Sequence, residues 1–280
     1  MKKTVGFLAL VAALILCVQS ALAQNYKGAP QPTIQDYGPF APQTVKKPAF
    51  TKPASGTCGN PAGHCLFYGG DFLDNPLGPP TLANGLANET DVFVNGSPYG
   101  AAVWVPFTVP AGETWGVTGL FSNNQSDYGV LDQAPNVPTA AATWSINEGV
   151  LPGIAGTVVA SGTSAATSTP TGRSAFGLLE YTIQVEGLSI VLTPGEYWLS
   201  VVPLCTNPAD PFCTGVFFLS DVEYVNTTPA NTVGPTEPQD AAFFDSPFFG
   251  RSFDPTNSGV GACGGFGCDS FSAGVLGHKW

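Results

Sequence analysis

Positive charge is scarce in this chain. Its 280 residues include nine Lys and Arg against 20 Asp and Glu, a net charge of −11. Charged residues of either sign make up only 10% of the chain, where about 25% is usual for a globular protein. Such a field repels phosphate backbones and anionic lipid surfaces, which sets nucleic acid aside as a partner. Met occurs once and His twice. With Lys, Glu, Leu and Met all sparse, little helix is expected. What is abundant is Gly (34) and Pro (26), together with 19 Phe. That combination favours many short strands separated by turns.

The one long apolar run lies at the start. Lys2 and Lys3 precede an apolar stretch from Val5 to Val18, and Ala21-Leu22-Ala23 forms a small-x-small site before Gln24. Residues 1–23 therefore read as a secretory signal peptide. The apolar run is shorter than the roughly 20 residues a membrane span needs, so no span is expected in the mature chain. Cys17 raises lipidation as an alternative, but Leu16 stands where a small residue is expected. Cleavage leaves seven bases against 20 acids, a net −13, and only three of those bases (Arg173, Arg251 and Lys279) lie beyond Cys58. The expected location is outside the cytoplasm, in the periplasm or the medium.

Six cysteines remain, in three close pairs: Cys58 and Cys65, Cys205 and Cys213, Cys263 and Cys268. Behind a signal peptide, an even count reads as a disulfide framework, with 15 possible connectivities. Local pairing is the simplest of these. A zinc site is the competing reading, but no Cys-x2-Cys spacing is present and the chain has only two His.

Residues 24–57 are proline-rich and read as an extended linker or a mature terminus without fixed structure. Residues 58–280 read as a single β-domain, all-β and antiparallel, a sandwich of jelly-roll type with a Gly- and Phe-rich C-terminal segment. The clearest strand runs from Ala102 to Val109. Val103, Val105, Phe107 and Val109 share one face, while Ala102, Trp104, Pro106 and Thr108 share the other. After the turn at Pro110–Glu113, Trp115, Val117, Gly119 and Phe121 are expected on one face of the next strand. Leu179, Tyr181, Ile183 and Val185 form an inward face that Gly187 interrupts and Leu188, Ile190 and Leu192 resume. Pro194-Gly195 turns the chain into Tyr197, Leu199 and Val201. Ser122–Thr139 and Thr163–Thr171 read as loops, Ala241–Phe253 as segments packed on the sandwich, and Gly259–Gly277 as a surface tail.

Several of these stretches resemble a known family. Thr143-Trp144-Ser145-Ile146, the Gly-rich passage to Ser161-Gly162, Leu188 to Leu192, Pro194-Gly195-Glu196-Tyr197-Trp198-Leu199 and the passage from Ala242-Phe243-Phe244 to Phe253 are similar to secreted β-sandwich domains of bacterial PEP-CTERM, exosortase-substrate proteins. The resemblance spans about Leu66 to Phe253 and lies in strand order and rhythm. It implies a secreted or surface protein associated with extracellular polymer and envelope. The family's C-terminal anchor has no counterpart here, because Thr236-Glu237-Pro238 is followed by no apolar span. Release is therefore expected.

The residues that could carry chemistry are of unequal weight. No Gly-x-Ser-x-Gly elbow exists, and Gly172-Arg173-Ser174-Ala175-Phe176-Gly177 misses it by one residue. His64 and His278 are the only possible histidine bases for a hydrolase, and His64 adjoins Cys65. Glu180 and Glu186 share a strand face, but six residues of strand separate them by roughly 20 Å. A glycosidase pair needs about 5 to 9.5 Å. Either carboxylate would need a partner on another strand. Asp127 and Asp132, with Asn123 and Asn124 nearby, offer oxygen ligands for Ca²⁺, and Asp71 with Asp74 offers a second weaker cluster. No other cofactor is suggested. Trp104 and Trp198 fall opposite the apolar runs and are the candidate sugar platforms, provided they are not covered. The expectation is a non-enzymatic secreted protein associated with extracellular polysaccharide or a cell-envelope component. The alternatives are a polysaccharide-acting hydrolase and a self-assembling surface protein.

Overall fold

The computed structural model describes Cys58 and residues 64–71, 85–94, 97–126, 141–175, 178–204, 217–220, 232–234, 242–247, 250–256 and 271–280. Among the described residues there are thirteen strands and no helix. They are β1 (Cys65–Tyr68), β2 (Gly85–Ala87), β3 (Glu89–Val94), β4 (Ser97–Val109), β5 (Trp115–Ser126), β6 (Ala141–Glu148) and β7 (Thr157–Ala175). The chain continues with β8 (Leu178–Leu192), β9 (Gly195–Leu204), β10 (Phe217–Ser220), β11 (Phe243–Ser246), β12 (Arg251–Pro255) and β13 (Ala273–Lys279).

The fold is all-β, and nearly every pairing is antiparallel. The strands hydrogen-bond in the order β1-β13-β5-β8-β7-β6-β9-β3-β4-β11-β12, with β2 and β10 attached beside β5 and a further β4–β9 pairing. They form one continuous curled sheet. Its bend lies in β7, whose first half pairs with β6 and whose second half pairs with β8. The main hydrophobic cluster draws on both sides of that bend. Val103, Val105 and Phe107 of β4 meet Val117 and Leu120 of β5, Ile183 and Val185 of β8, and Leu199 and Val201 of β9. The alternation read from the sequence of β4 and β9 thus selects the buried face, as a period of two requires.

Two bulges reset that alternation. Pairing on both sides of β5 shifts between Val117 and Gly119. Trp115, Val117 and Leu120 therefore enter the main core, while Phe121 joins a separate cluster with Cys58, Tyr68 and Leu276. The expectation that Phe121 shares a face with Trp115 is corrected by that extra residue. On β8, Gly187 takes a φ of 74°, and Leu188, Ile190 and Leu192 rejoin the core as the sequence suggested.

Three segments differ from expectation. Residues 163–171 continue β7 rather than looping; Thr and Ala side chains pair across to Thr143, Ala141 and Val185. β5 runs on through Ser126, so Asn123, Asn124 and Gln125 are buried strand residues. Residues 273–277 of the expected tail belong to β13, which pairs with β1 on one side and β5 on the other; residues 259–270 lie outside the described residues. The glycines of β13 serve close packing. A Cβ at Gly277 would lie 2.1 Å from the Gly116 carbonyl oxygen, and one at Gly274 would lie 2.5 Å from the Phe121 ring and the Phe67 carbonyl.

Cys58 and Cys65 form a disulfide with 5.4 Å between their Cα atoms, which agrees with local pairing. Cys205, Cys213, Cys263 and Cys268 lie outside the described residues.

Candidate functional site

The face of the sheet turned away from the main core carries the site. On that face, short side chains line up in rows across the strands. One row runs from Ser161 on β7 through Ser145 on β6 to Ser200 on β9. Continuing the β4–β9 register by one residue sets Trp104 at its end. The next row runs Thr163, Thr143 and Val202, then Ala102, which pairs with Asp245 of β11. With strands about 4.8 Å apart, four strands span roughly 14 Å.

The short side chains leave a groove of about 250 Å³. Ala102, Thr143, Ser145, Ser200 and Val202 line its floor, and Trp104, Asp245 and Pro247 line it where larger groups stand. Trp144 borders the same space, but its indole belongs to the opposite face. It packs on the main core and lies over Gly162, where a Cβ would be 3.0 Å from the ring, and its Nε1 donates to the Ser164 hydroxyl at 3.0 Å.

Two polar atoms of the groove residues have no hydrogen-bond partner among the described residues. Trp104 Nε1 and Ser200 Oγ are both buried and unbonded, on side chains only 9% and 3% exposed. A buried donor or acceptor left unpaired costs about 1 to 3 kcal/mol. Native proteins retain few such groups, and they call for an occupant, whether water or ligand. By contrast, Ser145 is satisfied, donating to Asn147 Oδ1 at 2.6 Å, and Asn147 in turn donates to the Ala155 carbonyl at 2.8 Å. Asp245 adds an acceptor. Burial pushes its carboxyl above the ordinary 3.8, an amide hydrogen bond from Phe253 pulls it back in part, and the nearby Asp254 pushes it up further.

The two tryptophans singled out from the sequence are covered. Trp104 packs on Phe253 with ring centroids 5.3 Å apart, and Trp198 packs on Phe243 at 6.3 Å. With Val150 they form a small second core on this outer face. Trp198 is 5% exposed and does not line the groove. Trp104 contributes to it, with its N–H as well as its ring. The covering residue is itself unusual. Phe253 has φ 46°, the only described residue other than Gly with a positive φ. A bulky side chain rarely adopts that conformation, so neighbouring structure must hold it there. One neighbour is the Gly153 amide, which donates to the Phe253 carbonyl.

The carboxylates gather elsewhere. Arg173 reaches Asp71 at 2.6 Å and also pairs with Glu180. Both acids are buried, at 5% and 1% exposure. Thr171 donates to Glu180 at 2.7 Å, and the Tyr68 hydroxyl donates to Asp71 at 2.6 Å. Burial, above all, holds the Tyr68 hydroxyl well above its ordinary range, so it remains a donor. Burial also opposes charge on Arg173, yet Glu180, Tyr68 and Asp71 raise it overall, and it stays a cation. Glu180 and Asp71 are thus each bound to Arg173 rather than paired with each other. The guanidinium between them makes the trio an ion-pair clamp joining β7 and β8 to the segment after β1. None of the three lines the groove. His278 stacks near Trp280 at 4.8 Å, and His64 is exposed with its carbonyl accepting from the Gly277 amide.

Asn123 and Asn124, considered as Ca²⁺ ligands, are spent on structure. Asn123 donates to the Tyr68 and Ser272 hydroxyls and accepts from Thr182, while Asn124 bonds to Asn88 and Ser122. Asp127, Asp132 and Asp74 lie outside the described residues. Among the described residues, no group of three His, Cys, Asp or Glu side chains is placed to hold a metal. Nor is any described helix long and apolar enough to cross a membrane.

The groove was only partly legible in the sequence. Trp104 was found from its face, but Ser200, Thr143 and Asp245 carry no local signal and meet only through pairing. No protein-family model matches the chain, and no curated protein is significantly similar to it.

Proposed function

We propose that this is a secreted, non-enzymatic β-protein that associates with extracellular polysaccharide or a cell-envelope glycan through the Trp104–Ser200 groove. The observation that carries the reading is the pair of unbonded buried polar atoms on the groove residues. A sugar ring offers an apolar face and a rim of hydroxyls. One such hydroxyl can accept from Trp104 Nε1 and another can donate to Ser200 Oγ, while Asp245 supplies an acceptor at the edge. Each orphaned group so satisfied returns about 1 to 3 kcal/mol. The rows of Ser and Thr leading from the groove to β7 continue the hydroxyl-bearing surface along which a chain polymer would lie. The signal segment, the acidic balance and the Cys58–Cys65 disulfide support placement outside the cytoplasm. The PEP-CTERM resemblance supports the same setting.

A polysaccharide array tests the reading. The wild type should bind one class of glycan. Thr143→Trp, which fills the groove, and Trp104→Phe, which keeps a ring but removes the N–H, should each weaken that binding at least tenfold while leaving the circular-dichroism spectrum unchanged. No glycan bound by the wild type, or full binding by both variants, overturns it.

A further inference from the structure

A second feature of the fold, independent of the groove, is the open edge of β7. Over residues 157–165 this strand pairs with β6 on one side only, because β8 joins it from Ala166 onward. Among the described residues, residues 157–165 make no other backbone bond, and each of them is exposed or half-exposed. Val158 and Val159 stand out from it, and Leu151 and Ile154 stand out from the adjoining turn, all large apolar side chains exposed to solvent among the described residues. Edge strands are ordinarily blunted by charge, by proline or by shortness. The end strands of this sheet are blunted. β12 carries the Arg251–Asp254 ion pair, and β1 has four residues, with Tyr68 bridged to Val233. Residues 157–165 have neither charge nor proline.

We infer that two copies of this chain pair antiparallel along the β7 edge, about a two-fold axis near Ser161. The charge pattern argues for a second copy as the occupant. The chain is acidic nearly throughout, yet Gly149 to Gly172 holds no charged side chain and is the longest such run in the sequence. Two acidic molecules repel wherever their carboxylates meet, so this window is where they approach at least cost. The edge is also self-complementary. A two-fold at Ser161 sets Val159 against Thr163 and Thr157 against Ala165, and each copy supplies the backbone donors and acceptors that the other lacks. That is the isologous contact a symmetric dimer requires. The dimer would join two curled sheets into one and bring the apolar turns at Leu151 and Ile154 over the partner's strand.

Sedimentation of the mature, disulfide-bonded chain over a wide concentration range tests this. The wild type should shift from monomer to dimer mass as concentration rises, and Val159→Lys with Thr163→Lys should remain monomeric with an unchanged circular-dichroism spectrum. Ser161→Cys, which introduces no charge, should give a covalent dimer on non-reducing gels, reversed by reductant. A wild type that is monomeric throughout, as when another part of the same chain covers the edge, overturns the proposal. So does a dimer that survives both lysines, or a Ser161→Cys protein that does not cross-link.

Discussion

Trp104 and Ser200 stand opposite each other on adjacent strands that line the groove, and each holds a buried polar atom with no hydrogen-bond partner among the described residues. A well-packed protein with no use for that pocket would gain by losing both.

Ser200→Ala is therefore expected to stabilise the ligand-free protein. The change removes one oxygen from a side chain that is 3% exposed and leaves no new polar group unpaired. The gain should be up to about 1 kcal/mol, at the lower end of the penalty for an unsatisfied buried group. Urea denaturation at neutral pH measures it. A loss of more than about 1 kcal/mol would mean that the hydroxyl has a stabilising partner.

Arg173→Met should act in the opposite sense. It leaves Asp71 and Glu180 buried without their shared cation. Breaking a buried ion pair by removing one partner costs about 3 to 5 kcal/mol. Urea denaturation at neutral pH measures the deficit, and a loss below about 1 kcal/mol would count against the clamp as a stabilising element.

Asp245→Asn tests the electrostatics of the groove. The folded-state pKa of Asp245 is raised above its ordinary 3.8, first by burial and then by Asp254. The folded state therefore holds the proton more tightly than the unfolded chain does. The stability this lends is present below the unfolded value and is lost as pH rises through the folded value. Asn cannot ionise, so the variant should melt above the wild type at neutral pH, and the two should converge in strong acid. Melting temperatures across that range check the sign. A wild type that melts higher at neutral pH would show that the Asp245 charge is favourably paired.

How much of this was readable from the residues differs from strand to strand. In β4 and β9 the alternation of Val, Phe and Leu with Trp, Pro and Ser marks strand, face and core together, because hydrophobic burial and the two-residue period point the same way. In β5 the same reading fails after Val117, since one bulged residue reverses every later side chain. The later part of β7, from Thr163, and β13 differ from the sequence reading because Ser, Thr, Ala and Gly have loop-like composition. Their strands exist through pairing with distant partners, Val185 and Gly116 among them. Glycine at 274 and 277 reflects close approach rather than freedom.

The sequence by itself determined that the protein is all-β, which faces of its regular strands are apolar, and that Cys58 and Cys65 are near enough to bridge. Those properties depend on side chains a few residues apart. Only the tertiary structure decided that Phe253 and Phe243 lie over Trp104 and Trp198, that Arg173 joins Asp71 to Glu180, and that Ser200 meets Trp104 in a groove. Each of those contacts joins segments far apart in the chain, which strand pairing and packing across the sheet bring together.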